Sequence, residues 1–144
     1  METAIKISRV LAIAFVVAWF FFGGISHFTN AEFFLAIMPP YLPYHLELVW
    51  ISGVFEVLGA IGLIIPRTRL AAGIGLIVLT IAVTPANIHM AMNPDLFPDA
   101  TAAGLYGRLA FQVFFLWLIW FSTGGVRAAM KGAETVAPDD HPMT

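Results

Sequence analysis

Residues 11–25 read LAIAFVVAWFFFGGI, fifteen consecutive residues without a charged side chain. An α-helix rises 1.5 Å per residue and the hydrocarbon core of a bilayer is roughly 30 Å thick. Extended back to Ile7, this run is a membrane span. Lys6 and Arg9 ahead of it also fit a secretory leader. However, the run ends Trp19-Phe20-Phe21-Phe22-Gly23-Gly24, without the small-x-small pattern that a signal peptidase reads. It is read as a retained transmembrane helix.

The composition agrees. The chain has 144 residues, 60% hydrophobic and only 11% charged, against about 25% charged in soluble domains. Its mean hydropathy is +0.87. A chain this short hides too little surface for a soluble core to absorb so many apolar side chains. The net charge of −2 gives no basic footprint, so no nucleic-acid partner is expected. With no cysteine, disulfides, thiolate nucleophiles and thiolate-held metals are excluded.

Three further spans follow: Leu46–Ile65, broken by Glu47 and Glu56; Leu70–Met92, carrying Pro85 and Asn87; and Leu105–Ser122, carrying Arg108 and Gln112. Pro66-Arg67-Thr68-Arg69 is a tight turn that makes spans two and three a hairpin. Between spans one and two, Thr29-Asn30-Ala31-Glu32 has a capping-box pattern. It predicts a short interfacial helix, ended by Pro39-Pro40 and Pro43. Lys6, Arg9, Arg67, Arg69, Arg127 and Lys131 fall at one end of the spans and Arg108 alone toward the other. By the positive-inside rule that end is cytoplasmic. The expected architecture is all-α: an integral membrane four-helix bundle, up-down-up-down, with both termini cytoplasmic. Residues 1–131 form a single four-span membrane domain, and 132–144 a solvated C-terminal tail. A bacterial inner (cytoplasmic) membrane is the expected location, with the lipid bilayer as the first partner.

Polar residues inside a span are costly and tend to be functional. Counting helical rise from the turn residues puts Glu56 and Gln112 both ~15 Å from the cytoplasmic face. Arg108 stands one turn higher on the face of Gln112. His27 and Asn87 fall in an outer layer, so Glu56 is expected ~10 Å or more below His27. Ser52, Glu56, Gly59 and Ala60 form a small, polar stripe suited to close helix packing. Each polar residue also has a structural reading. Glu56 would bond Gln112 or Arg108, Asn87 would repair the kink at Pro85 that frees the Ile81 carbonyl, and His27 would cap its own helix. Arg108 would anchor the interface and His89 would be interfacial. The aromatic residues Phe20–Phe22 and Phe114–Phe115 read as lipid-facing or core. His27, His89 and Glu56 are a two-histidine, one-carboxylate set in type only. Their depths differ and no HxxxH or ExxH motif supports a metal, so none is expected.

Gly24-Ile25-Ser26-His27-Phe28, Met38-Pro39-Pro40-Tyr41-Leu42-Pro43, Ser52-Gly53-Val54-Phe55-Glu56 with Gly59 and Gly62, and Pro85-Ala86-Asn87-Ile88 resemble the ordered motifs of DoxX-family membrane proteins. The matching positions are His27, Pro39, Pro40, Gly53, Glu56, Pro85, Ala86 and Asn87. His89 stands where an aromatic or apolar residue is expected. The resemblance implies a four-helix membrane bundle. One branch of that family is similar to the membrane subunit of thiosulfate:quinone oxidoreductase, and other relatives belong to oxidative-stress complexes.

The functional expectation is an intramembrane polar pocket in the extracytoplasmic half for a quinone-like or other small redox-linked molecule. Its ligand-binding residues would be Glu56 and Gln112 as floor and His27, Asn87 and Arg108 as mouth. Quinone is the candidate cofactor, with a membrane or extracytoplasmic redox protein as partner and a homo-oligomer as an open possibility. The competing expectation is a non-enzymatic accessory or assembly subunit, in which the polar layers only lock the bundle. Proton-coupled transport would need a dimer, and no inverted repeat points to it.

Overall fold

The computed structural model describes residues 2–98 and 100–124. The described residues form six α-helices: α1 (Glu2–Thr29), α2 (Ala31–Ala36), α3 (His45–Ile64), α4 (Arg69–Ala82), α5 (Thr84–Met92) and α6 (Ala102–Thr123). A single 3₁₀ turn, Pro94–Leu96, lies between α5 and α6, and there is no strand among the described residues. Four stretches are long and apolar enough to cross a membrane: Thr3–Thr29, His45–Ile64, Arg69–Met92 and Ala102–Thr123. The proposed solvated tail at 132–144 lies outside the described residues.

Helix α1 packs on α3 and α6, and α4 packs on the same two, so the four spans close a ring. Consecutive spans alternate in direction, which puts the start of α1, the end of α6 and the α3–α4 turn at one end of the bundle. At that end the Arg9 guanidinium lies 5.9 Å from the Phe121 ring centre and beside Gly124, which follows α6. The turn is built by side chains that take up the last carbonyls of α3. Arg69 donates from Nε to Leu63 O (2.8 Å) and from a terminal nitrogen to Ile64 O (3.2 Å), while Thr68 Oγ1 donates to Gly62 O (2.9 Å).

Two apolar layers hold the bundle. Near the turn end, Val16 and Phe20 of α1, Ala60 and Leu63 of α3, Leu76 of α4 and Phe115 and Ile119 of α6 form the larger one. At the other end, Ile37, Met90, Ala91 and Leu105 form a smaller one beneath α2. The aromatic run splits between the two environments: Phe20 and Phe115 are buried, whereas Phe22 and Phe114 are exposed. Phe15, Trp19 and Phe111 continue from Phe115 as a ladder along the α1–α6 seam.

Two local expectations are corrected. The short helix α2 exists, but Asn30 makes no side-chain cap. The Thr29 hydroxyl turns back to Ile25 O (3.5 Å) in α1 rather than forward to α2. Because α1 continues to Thr29, the capping residues belong to a helix that is ending, and the box cannot close. At Pro85 the third span does not merely kink. It stops at Ala82 and restarts at Thr84, placing Pro85 in the first turn of α5, where a missing N–H costs nothing.

Candidate functional site

Helices α1 and α3 approach backbone to backbone. A Cβ on Gly24 would stand 2.8 Å from Gly53 O, and one on Gly53 would stand 2.7 Å from the His27 Cβ and 2.9 Å from Gly24 O. No side chain fits at either place. This contact is what brings His27 to Glu56.

His27 is buried. Its Nδ1 lies 2.8 Å from Val49 O and 3.0 Å from Ser52 Oγ. A carbonyl oxygen can only accept, so Nδ1 carries a proton. The Ser52 hydroxyl donates to the same carbonyl at 2.8 Å, which frees its oxygen to accept from Nδ1. With Nδ1 committed to α3, Nε2 faces the Glu56 carboxylate, 3.5 Å from Oε1. The second oxygen, Oε2, lies against Gly23, where a Cβ would be 2.9 Å away. Phe34 of α2 stacks on the imidazole at 3.8 Å between ring centres, with the planes 25° apart.

The chemistry of this pair follows from its proton count. An ionised Glu56 facing a bare Nε2 would set lone pairs against each other in a desolvated place. One proton between Nε2 and Oε1 makes the contact attractive, either as imidazolium–carboxylate or as imidazole–carboxylic acid. The contact is attractive only with one proton between the two groups.

Depth counting set these two residues ~10 Å or more apart, and the 3.5 Å contact overturns that. Every side chain on a helix leans toward that helix's own N-terminus. On antiparallel α1 and α3, His27 leans toward the turn end and Glu56 toward the α2 end. The two tilts close the offset that the rise of the backbone creates.

The remaining polar residues meet elsewhere. Arg108 of α6 donates from Nε to Asn87 Oδ1 of α5 at 3.0 Å, and its guanidinium lies 5.4 Å from the Phe33 ring centre of α2. Gln112 donates to Thr80 O at 3.1 Å, which also accepts from the Thr84 hydroxyl at 2.9 Å. Thr80 O is a carbonyl left free where α4 ends, so Thr84 and Gln112 mend the break and Asn87 does not. Gln112 Oε1 is buried without a hydrogen-bond partner. His89 interacts with Asn93 through both its ring and its carbonyl. No group of three or more metal-ligating residues occurs among the described residues.

The five expected ligand residues therefore fall into three sets: His27–Glu56 between α1 and α3, Asn87–Arg108 between α5 and α6, and Gln112 on the end of α4. Glu56 meets neither Gln112 nor Arg108 within hydrogen-bond distance, and the polar partner it has is His27. Sequence reasoning missed the glycine contact and Ser52 as the His27 partner. Both had a signal, since Ser52 precedes Glu56 by one helical turn and Gly53 adjoins that small, polar stripe. The stacking of Phe34 had none.

Two grooves mark the surface. One, of about 500 Å³, runs along α1 from Val10 and Ala14 to Phe21 and Phe22, with Arg69 at its foot. The other, of about 430 Å³, lies at the α2 end between Tyr41, Pro85, His89 and Met92. None of the five residues lines either groove. The first stops at Phe21 and Phe22, next in the chain to Gly23 and the Glu56 Oε2 beside it.

No curated protein and no solved structure matches the chain significantly. Residues 16–123, most of the chain, covering the second half of the first span and the other three spans whole, match the family described as Domain of unknown function (DUF8561), and the chain belongs to that family.

Proposed function

We propose that this protein is a DoxX-like, multi-pass integral membrane protein that exchanges a proton with a small lipophilic redox molecule, quinone-like in chemistry, at the His27–Glu56 pair. The observation that carries this reading is the buried contact of His27 Nε2 with Glu56 Oε1, 3.5 Å apart, on an imidazole whose Nδ1 is held by Val49 O. Val49 O fixes the tautomer on one side of the imidazole, and a carboxylate faces the other. The groove along α1 supports it, because an isoprenoid tail fits an apolar channel that ends beside Gly23 and Glu56. A quinone becomes a quinol by taking two electrons and two protons. The pair supplies one proton, water at the membrane surface supplies the second, and a membrane or extracytoplasmic redox partner supplies the electrons. This chain has no cysteine of its own. Gln112, Asn87 and Arg108 take no part in the proton step. The chain ends and the α3–α4 turn face the cytoplasm, because six of the seven basic residues belong to that end. The membrane is a bacterial inner membrane.

The test is extraction of the full chain in mild detergent, followed by mass spectrometry of bound lipophiles and titration with a short-chain benzoquinone. Wild type should retain or bind the quinone. Glu56→Gln should still fold and bind, but bind without the linked proton uptake seen on reduction. A chain that binds no quinone, or a Glu56→Gln variant with unchanged proton uptake, overturns the reading. The self-contained bonding of the polar residues favours a second reading, an accessory subunit whose networks only lock the bundle. A stoichiometric protein partner co-purifying without any lipophile would support that one.

A further inference from the structure

The geometry points to Arg108 as a site for the two-oxygen anionic head of an amphiphile, a carboxylate or a phosphate, entering from the leaflet on the α2 side. Arg108 stands six residues inside α6, ~9 Å below its first residue. A guanidinium at that depth calls for a counter-charge, yet no carboxylate pairs with it among the described residues. What holds it is neutral. Asn87 Oδ1 takes the Nε proton at 3.0 Å, and the Phe33 ring lies 5.4 Å away. Together they fix the plane of the guanidinium and leave its two terminal nitrogens without a hydrogen bond to the described residues. Those nitrogens are the fork that grips two oxygens of one anion.

The depth selects the ligand. Arginine can lift its charge to the surface along its own stem, but here Asn87, itself five residues inside the end of α5, holds the head within the span. A freely hydrated anion would have to shed its water to reach it. An amphiphile brings its tail into the hydrocarbon as its head meets the fork, so burial of the tail offsets that cost. The site asks nothing of His27 and Glu56, and stands or falls apart from the proton exchange proposed above.

The experiment uses the full chain in a neutral detergent, with three probes: oleate, dioleoylphosphatidylglycerol, and oleyl alcohol, which has the tail without the charge. Bound equivalents are read by native mass spectrometry and affinities by titration. Wild type should hold one equivalent of oleate or phosphatidylglycerol and bind oleyl alcohol far more weakly. Arg108→Gln should weaken anion binding about tenfold or more. Arg67→Gln, at the exposed turn on the opposite end, should bind as wild type does. Binding of oleate alone assigns a fatty-acid carboxylate, binding of phosphatidylglycerol alone assigns a phospholipid, and binding of both assigns the shared oxyanion. Binding of neither, oleyl alcohol binding as tightly as oleate, or undiminished binding by Arg108→Gln overturns the proposal. Should Arg108→Gln fail to fold, Arg108→Lys carries the test. It keeps the charge without the fork or the Nε bond, and affinity equal to wild type would overturn the assignment.

Discussion

The α1–α3 face and the α4/α5–α6 face of one small bundle solve the same problem in opposite ways. Each must place polar groups inside a membrane without leaving them bare. On the first face glycines remove side chains, the backbones touch, and two short-reaching groups, His27 and Glu56, meet each other. On the second face the helix itself is broken, and long side chains reach across from α6, Gln112 to the freed carbonyl and Arg108 to Asn87. That second solution has spare capacity, in the open fork of Arg108 and the unpartnered Gln112 Oε1. One interface is closed by backbone contact, and the other is spanned by side chains.

The sharpest way to break this contrast is to put a side chain where only backbone fits. Gly53→Val would set a branched side chain against the His27 Cβ and Gly24 O, at 2.7 and 2.9 Å from the new Cβ. Both neighbours are rigid, so α1 must move as a body. We expect a loss of about 3 kcal/mol, the upper end of over-packing costs, measured by reversible denaturation in mixed micelles. Gly107→Ala on α6 is the counterpart. A Cβ there meets nothing within 4 Å, and stability should stay within about 0.5 kcal/mol of wild type. Equal effects at the two glycines would remove the distinction between the faces.

A smaller effect is expected from the pair itself. His27→Ala strips Glu56 of its partner and leaves the Val49 carbonyl with the Ser52 hydroxyl alone of its two side-chain donors, and should cost about 1–2 kcal/mol by the same measurement. Glu56→Gln should cost less than about 0.5 kcal/mol, because an amide N–H can donate to the bare Nε2. Stability then survives while the exchangeable proton is gone. If Glu56→Gln destabilised as much as His27→Ala, the contact would be a fixed ion pair and not a proton carrier.

The four spans were legible in the sequence because hydropathy and length act on whole segments. Glu56, His27, Asn87, Arg108 and Gln112 were legible as exceptions for the same reason: a polar side chain in a span must be answered by something. Which residue answers which was not legible. Axial rise ranks residues by the height of their Cα atoms, whereas contacts are made by side-chain tips several ångströms away and leaning in opposite senses on antiparallel helices. That error separated His27 from Glu56 and joined Glu56 to Gln112. Pro85 misled differently. Its effect on the backbone was foreseen, but the repair went to Thr84 and Gln112, since Thr84 reaches the freed carbonyl within its own chain and α6 offers Gln112 at the right level. Asn87, two residues further on, is held by Arg108.

That repair yields the smallest effect and the finest test of the wide face. Gln112→Ala should cost about 1 kcal/mol or less, the value of one interhelical hydrogen bond in a membrane. Pro85→Ala restores an N–H able to bond Ile81 O, so α4 and α5 can run on as one helix and Thr80 O gains the Thr84 N–H as its regular partner. In that background the Gln112 bond becomes redundant. The double-mutant cycle should therefore give a coupling equal to nearly the whole Gln112→Ala cost, about 1 kcal/mol or less, with that substitution nearly silent once Pro85 is gone. Additive losses would mean that Gln112 holds α6 to α4 for its own sake, and that the break and the bond share only a neighbourhood. Coupling would mean that the proline created the unmet carbonyl and that the spare Oε1 of Gln112 is the by-product of meeting it.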